Sequence, residues 1–361
     1  MAMTKKQLTA ALISLSMGSF AQAGLTINQG SAPSAKIGWG GQDSLSEART
    51  IMYANKNGRG VKTINNGSGS RTITNSSSGY NTSYGTTYNN TYNSGYSNPT
   101  YNGSMYDELA ISTGSRGVVV LDLESGRSIY EKNADVARPI ASISKLMTAM
   151  VLLDSGQDMR EEIVLEPIDF VGPKRASSKL KSGDRMNRAE MLLMMLMKSE
   201  NPAAKSLARH YPGGYDAFMR AMNQKAQSLG MTTAFFGDPT GLDKRNVASP
   251  NDLVKMVKAA GNYDVIRRFS TTQSYDFFVA NYSAGNRVYK ANNTSTLVRS
   301  GNYPIGISKT GFINEAGRCV VMETRVNNRP AIIVILGANS SATRWDDAKS
   351  ILASLATRRT V

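Results

Sequence analysis

Hydrophobic residues along this chain fall into three regimes. The first is one short apolar run, Leu8 to Phe20, behind Lys5 and Lys6. The second, Gly24 to about Tyr106, is dominated by Ser, Thr, Asn, Gly and Tyr, and from Thr72 to Tyr106 it holds no Lys, Arg, Asp or Glu. Tyr80, Tyr84, Tyr88, Tyr92 and Tyr96 recur at helical spacing there, but the residues between them are poor helix formers. Too little apolar area is present to offset the entropy of ordering, so a disordered tether is expected. The third regime, from about Asp107 onward, carries runs of strand and helix length.

Within that third regime Gly117–Leu123 reads as a strand, Glu124–Arg127 as a turn and Ser128–Tyr130 as its hairpin partner. A helix is expected from near Ser142 to Leu153, and a short strand at Ile163–Leu165. Arg188 to Arg209 is periodic in Met and Leu and reads as one long helix, its methionines filling core space. Helices follow at Ala217–Leu229 and at Pro250–Ala260, with Ser249 as N-cap. Ile305–Thr310 is a strand. Arg318–Val326 and Ala331–Leu336 flank Asn327-Asn328 as a second hairpin. Trp345–Ala356 closes the chain as a helix with Trp345, Ala348, Leu352 and Leu355 on one face. Strands at both ends with helices between predict an α+β fold, one antiparallel sheet drawn from the first and last segments.

Residues 1–23 have the form of a secretory signal, with a charged start, an apolar middle and Ala21-Gln22-Ala23 before Gly24. That run is short for a membrane span, and no later run is long and apolar enough for one. The expectation is an exported, periplasmic protein with three parts: a signal at 1–23, a tether at 24–106 and a folded domain at 107–361. The formal charge is +15; the signal holds two lysines and no acid, leaving +13 after its removal. Such an excess favours anionic partners, here wall polymer or membrane surfaces. No nucleic-acid-binding signature is present, so no nucleic-acid partner is expected. Cys319 is the only cysteine and His210 the only histidine. The first is expected as a buried inert thiol, the second as a capping or packing residue at a helix end. No metal or cofactor is expected.

Chemistry concentrates in the run Arg138-Pro139-Ile140-Ala141-Ser142-Ile143-Ser144-Lys145. Ser142 and Lys145 are three apart, about one helical turn, so their side chains share a face. A serine hydroxyl needs a neighbouring base, and a lysine serves if burial or a nearby cation keeps it neutral. Ser178 and Lys181 repeat the spacing inside the charged run Ser178–Asp184, which reads as a solvated turn. Ser142 is singled out by order. Ser199-Glu200-Asn201 follows 57 residues later, and Lys309-Thr310-Gly311 167 residues later. A Ser-x-x-Lys, Ser-x-Asn, Lys-Thr-Gly series is the motif set of β-lactamases and penicillin-binding proteins.

From about Gly117 to Ala338 the chain resembles the low-molecular-mass serine DD-peptidases of the penicillin-binding protein class. Besides these motifs the likeness rests on His210-Tyr211-Pro212-Gly213-Gly214-Tyr215 and Asp238-Pro239-Thr240-Gly241-Leu242. The resemblance implies a β-lactamase/DD-peptidase-like transpeptidase fold with a helical subdomain. It implies peptidoglycan peptide stems as substrate and β-lactam antibiotics as covalent inhibitors. Ser142 would be the nucleophile, Lys145 its base, and Ser199 a relay toward the leaving amine. Asn201 would hold substrate and Lys145, and Lys309 and Thr310 a substrate carboxylate. Gly311 would keep the strand edge open for an added peptide strand, and the backbone N–H groups of Ser142 and Phe312 would form the oxyanion hole.

Four activities compete at this point. Endopeptidase cleavage of D-Ala–diaminopimelate cross-links is favoured by the runs around His210 and Asp238 and by the short stretch after the closing helix. D-Ala-D-Ala carboxypeptidase action is the alternative within the same family. A β-lactamase would need a deacylating glutamate after Ser-x-Asn, and none occurs between Glu200 and Glu315. A catalytically silent wall-binding protein has no use for the nucleophile–base pair.

Overall fold

Two hairpins from opposite ends of the sequence build the central sheet of the computed structural model, which describes residues 108–358. The expected signal and tether lie outside the described residues. β1 (Gly117–Asp122) and β2 (Ser128–Lys132) form the first hairpin, β10 (Gly317–Val326) and β11 (Arg329–Ala338) the second. Asp122 closes the first turn by accepting the N–H of Glu124 at 2.9 Å and of Ser125 at 3.2 Å. Asn327 and Asn328 close the second with φ of 47° and 62°, a left-handed pair that matches the twist of paired strands. β1 pairs with β11, and β9 (Ile305–Ile313) pairs with β10, all antiparallel, in the order β2-β1-β11-β10-β9. The single antiparallel sheet expected from the two chain ends is present, with β9 on its edge.

The sheet separates two apolar clusters by simple alternation. Val118, Val120, Val320, Met322, Ile333 and Ile335 face the closing helix α8 (Ser341–Thr357) with its Trp345, Ala348, Ile351 and Leu352. Val119, Val321, Ile332, Val334 and Leu336 face the other way, onto the larger helical cluster. Opposed residues share a face. Val119 pairs with Val334, Val334 with Val321, and Val321 with Lys309, so this lysine lies in line with the apolar row.

At the centre of the larger cluster lies α1 (Lys145–Asp154), buried without interruption from Lys145 to Leu152. A helix apolar all round belongs inside a core. Around it pack α2 (Arg188–Leu193), α3 (Asn201–Arg209), α4 (Gly214–Ser228), α5 (Pro250–Ala260) and α6 (Asp264–Thr271). Ser249 caps α5, accepting the Asp252 N–H at 3.2 Å as its spacing predicts. Small pairs complete the domain: β3 (Arg138–Pro139) with β6 (Val247–Ala248), and β4 (Glu162–Val164) with β5 (Arg185–Asn187). β7 (Ser274–Val279) and β8 (Arg287–Asn292) form a hairpin that the hydrophobic pattern does not announce, because Phe278 and Val288 lie on its exposed face. The short α7 (Thr296–Ser300) leads into β9.

Two expectations about helices need correction. The Ser142 helix opens as a 3₁₀ turn, Ala141–Ser144, and becomes α-helical only at Lys145. The long helix from Arg188 to Arg209 is broken. α2 ends at Leu193, a π-helical turn spans Met194–Lys198, Ser199 turns left-handed at φ 66°, and α3 starts anew at Asn201 with Pro202 in its first turn. Within a continuous helix the Pro202 ring would clash with the carbonyl four residues back, whereas at a helix start its missing N–H is harmless.

Asp347 on α8 ties the last element to the first. Its carboxylate accepts the Gly114 and Ser115 N–H groups, each at 2.9 Å, and the Ser115 hydroxyl at 2.5 Å. Asp347→Ala is therefore expected to lower stability by about 2 kcal/mol and the melting temperature by roughly 4–8 °C. Calorimetry checks this; an unchanged melting temperature would show that the carboxylate does not hold the entry to β1.

Candidate active site

Ser142 stands on the 3₁₀ turn between β3 and α1, where the backbone is strained and crowded. Ala141 holds φ 50°, and the Ser144 hydroxyl donates to its carbonyl at 3.1 Å. A Cβ on Gly241, itself at φ 83°, would stand 2.0 Å from the Ala141 carbonyl oxygen. A Cβ on Gly311 would stand 2.9 Å from the Ile140 carbonyl oxygen and 3.1 Å from the Ser142 nitrogen. Both glycines are thus required by contact with the Ser142 turn. For Gly311 this corrects the reason expected from sequence: β9 has a free edge because it is the last strand of the sheet, while the missing side chain admits the turn.

Lys145 is the first residue of α1 and has no exposed surface. Its Nζ donates to the Thr240 carbonyl at 2.6 Å, to Asn201 Oδ1 at 2.7 Å and to Ser142 Oγ at 3.0 Å. Burial brings the amine down from 10.5 to about 7, while Asp238 and Glu200 pull the other way. Those two carboxylates are already engaged. Asp238 accepts the Thr240 hydroxyl, the Gly241 N–H at 2.8 Å and the Asn246 amide at 3.0 Å. Glu200 accepts the Ser178 hydroxyl at 2.6 Å and the Tyr289 hydroxyl at 2.7 Å. With both oxygens held, Glu200 is poorly placed to activate a deacylating water.

The break before α3 delivers Ser199 and Asn201 to one place. Lys309 Nζ donates to Ser199 Oγ at 2.9 Å and to the Thr310 carbonyl at 2.9 Å. Lys309 is also buried. Burial first, then the charges of Lys145 and Arg344, hold its amine well below the ordinary lysine range. Thr310 Oγ1 lies 2.6 Å from Thr294 Oγ1. Phe312 is about half exposed, with the Arg318 guanidinium 4.3 Å from its ring centre. A hydroxyl touching an amine that is partly neutral near pH 7 can be activated for nucleophilic attack. A second amine beside Ser199 can attract a carboxylate or feed a proton relay.

The residues singled out by motif order, Ser142, Lys145, Ser199, Asn201, Lys309, Thr310 and Gly311, converge here, with Phe312 next along β9. Ser178 departs from its expected role, because its hydroxyl is bound to Glu200 instead of marking a free solvated turn. Cys319 is buried, its thiol pushed up to about 11 by burial, and His210 hydrogen-bonds the Ser206 carbonyl at the end of α3, both as expected. Sequence reasoning missed the Thr240 carbonyl, Asn246 and Thr294. The only signal was the turn-forming Asp238-Pro239-Thr240-Gly241 string, which has the composition of a tight turn.

Comparison with known proteins supplies a frame. Residues 105–340 match the sequence profile of the D-alanyl-D-alanine carboxypeptidase peptidase family S11. The chain is 42% identical over 241 residues to a D-alanyl-D-alanine endopeptidase of Escherichia coli, covering 67% of this chain and 76% of that one. It is 40% identical over 236 residues to one of Pseudomonas aeruginosa, covering 65% and 74%. Among solved structures it resembles the Streptomyces K15 DD-transpeptidase in fold, with TM-score 0.64 and 24% identity over 68% of this chain and 98% of that chain. A D-alanyl-D-alanine carboxypeptidase from Mycobacterium tuberculosis gives TM-score 0.60 and 26% identity over 68% and 91%.

The lowered Lys145 pKa sets a pH profile. A base acts in its neutral form, which is lost below its pKa. Acylation by a fluorescent penicillin is expected to be near its plateau above pH 8 and to fall about tenfold per unit well below pH 7. Stopped-flow labelling between pH 5 and 9 checks it; a rate flat across that range would exclude Lys145 as the titrating base.

Proposed function

Because the chain belongs to the D-alanyl-D-alanine carboxypeptidase family of serine peptidases, we propose that it is a periplasmic D-alanyl-D-alanine endopeptidase. Its substrate is the D-Ala–diaminopimelate cross-link of peptidoglycan, and β-lactams acylate the same serine. The observation that carries this reading is the buried Lys145 amine 3.0 Å from the Ser142 hydroxyl, with a second buried amine, Lys309, beside Ser199. The named endopeptidases at 40–42% identity support the choice of the cross-link over a terminal D-Ala.

In this mechanism neutral Lys145 takes the Ser142 proton while Oγ attacks the D-Ala carbonyl carbon. Negative charge on the carbonyl oxygen is held by the backbone N–H groups of Ser142 and Phe312. Collapse breaks the peptide bond. The departing amine receives, relayed through Ser199, the proton that Lys145 took, which leaves Lys145 neutral again; the Ser199 hydroxyl is held by Lys309. Water then attacks the acyl-enzyme, losing its proton to Lys145 as Oγ regains one. Asn201 contributes twice: its Oδ1 fixes Lys145, and its amide nitrogen serves as donor to a substrate carbonyl. Lys309 and Thr310 take the carboxylate next to the scissile bond. The signal at 1–23 directs export, and the tether at 24–106 stands apart from catalysis.

Three outcomes test this reading. Ser142→Ala abolishes labelling by a fluorescent penicillin and leaves the melting temperature within about 2 °C; retained labelling would move the nucleophile elsewhere. Purified enzyme converts cross-linked muropeptide dimers to monomers and leaves pentapeptide monomers intact, read by mass spectrometry; loss of one alanine from the pentapeptide with dimers untouched would establish a carboxypeptidase. Deleting residues 24–106 leaves dimer cleavage within about twofold; loss of activity would make that segment part of the catalytic fold.

A further inference from the structure

The segment 172–182 is an arm anchored beside the Ser142 turn at one end and beside Ser199 and Asn201 at the other. It carries Lys174, Arg175, Lys179 and Lys181 and no acidic residue. At one end Gly172 lies against Leu242, whose neighbour Gly241 touches the Ser142 turn, and Lys174 pairs with Glu315, just beyond Phe312. At the other end the Ser178 hydroxyl is held by Glu200, between Ser199 and Asn201. The Lys179 carbonyl accepts from Arg287 at 3.1 Å, and Asp184 accepts the Lys181 N–H at 2.7 Å. The arm is therefore positioned next to the Ser142, Ser199 and Asn201 cluster.

Apart from Lys174, paired with Glu315, its charges are not spent on the protein. Arg175, Lys179 and Lys181 are exposed, and none forms an ion pair among the described residues; Lys179 lies 6.0 Å from the Tyr289 ring centre. Lys244, also exposed, follows the Leu242–Asp243 stretch on the same wall, and its charge acts on Glu315 together with that of Lys174. Like charges gathered on a rim raise the local concentration of an oppositely charged ligand. The backbone that carries Lys179 and Lys181 is already fixed by hydrogen bonds to Arg287 and Asp184, and Arg175 lies between the anchored Lys174 and Ser178.

We infer that this arm is a remote subsite for an acidic peptide, in which Arg175, Lys179 and Lys181 bind free carboxylates of the stem flanking the scissile bond. The inference rests on the peptidase reading above and deepens it. A cross-linked dimer presents carboxylates from two stems, so the arm favours it over a single stem. Binding energy from such a distant site improves productive placement of the substrate at Ser142.

The test is the full-length triple variant Arg175→Gln/Lys179→Gln/Lys181→Gln, compared with wild type on cross-linked muropeptide dimers and on the same dimers with every carboxylate amidated except the one next to the scissile bond. The expected result is about a tenfold loss of kcat/KM on free-acid dimers, carried mainly by KM, with a flatter salt dependence. Wild type loses a similar factor on amidated dimers, whereas the variant does not distinguish the two substrates. The rate of penicillin acylation reports whether Ser142 and its turn are intact. Unchanged kcat/KM on free-acid dimers overturns the inference, as does an equal loss on both substrates. Should dimers not be cleaved at all, the endopeptidase reading fails separately. Calorimetric binding of free-acid and amidated dimers to Ser142→Ala, with and without the arm substitutions, then decides the subsite. Equal affinity for the two dimers overturns it.

Discussion

The constraint on which this structure depends is a lysine amine kept dry without a carboxylate in contact. Lys145 touches a carbonyl oxygen, an amide oxygen and a hydroxyl. Each neutral acceptor stabilises the ammonium less than a carboxylate would, so burial prevails and the amine drops to about 7. The two acids near enough to oppose this are occupied by other donors. Asp238 is tied into its own turn through Thr240, Gly241 and Asn246, and Glu200 into Ser178 and Tyr289. Asp238 thereby aims the Thr240 carbonyl at Lys145 while its charge is partly spent on hydrogen bonds within the loop.

The same burial works against stability, and its sign is fixed. In the unfolded chain Lys145 holds its proton up to about 10.5; folded, it loses it near 7. Between those values the unfolded state binds more protons, so this group's contribution to stability grows with rising pH and shrinks as pH falls toward 7. Lys309 has its pKa moved in the same direction, by burial and by Lys145 itself. The domain offsets two such groups with a helix buried on every side and a sheet packed on both faces. Functional residues of this kind are not chosen for stability.

Much of the site was legible because its side chains lie in three short strings whose order is distinctive. The sheet was legible because both hairpins carry ordinary turn chemistry, at Asp122 and at Asn327-Asn328. What stayed hidden depends on contacts between distant residues. The Met-rich run from Met191 to Met197 has unbroken helical character, and nothing local requires Ser199 to turn left-handed. That conformation is held by partners drawn from residues 178, 289 and 309. The Thr240 carbonyl is a backbone atom, so no residue type announces it. The β7–β8 hairpin shows Phe278 and Val288 to solvent, which erases the alternation by which a strand is recognised.

Gly311 shows how one residue can serve two requirements that sequence alone confuses. A glycine in a Lys-Thr-Gly strand suggests room left for a substrate backbone. Here the room is taken from within, by the Ile140 carbonyl and the Ser142 nitrogen. The edge of β9 away from β10 is free for a different reason, the strand order, which ends the sheet at β9. Close approach brings the Ser142 N–H beside β9, and edge position leaves that strand able to receive an extended peptide. A peptide added there would run beside the Ser142 turn, because the strand that offers its free edge also carries the glycine that lies against that turn.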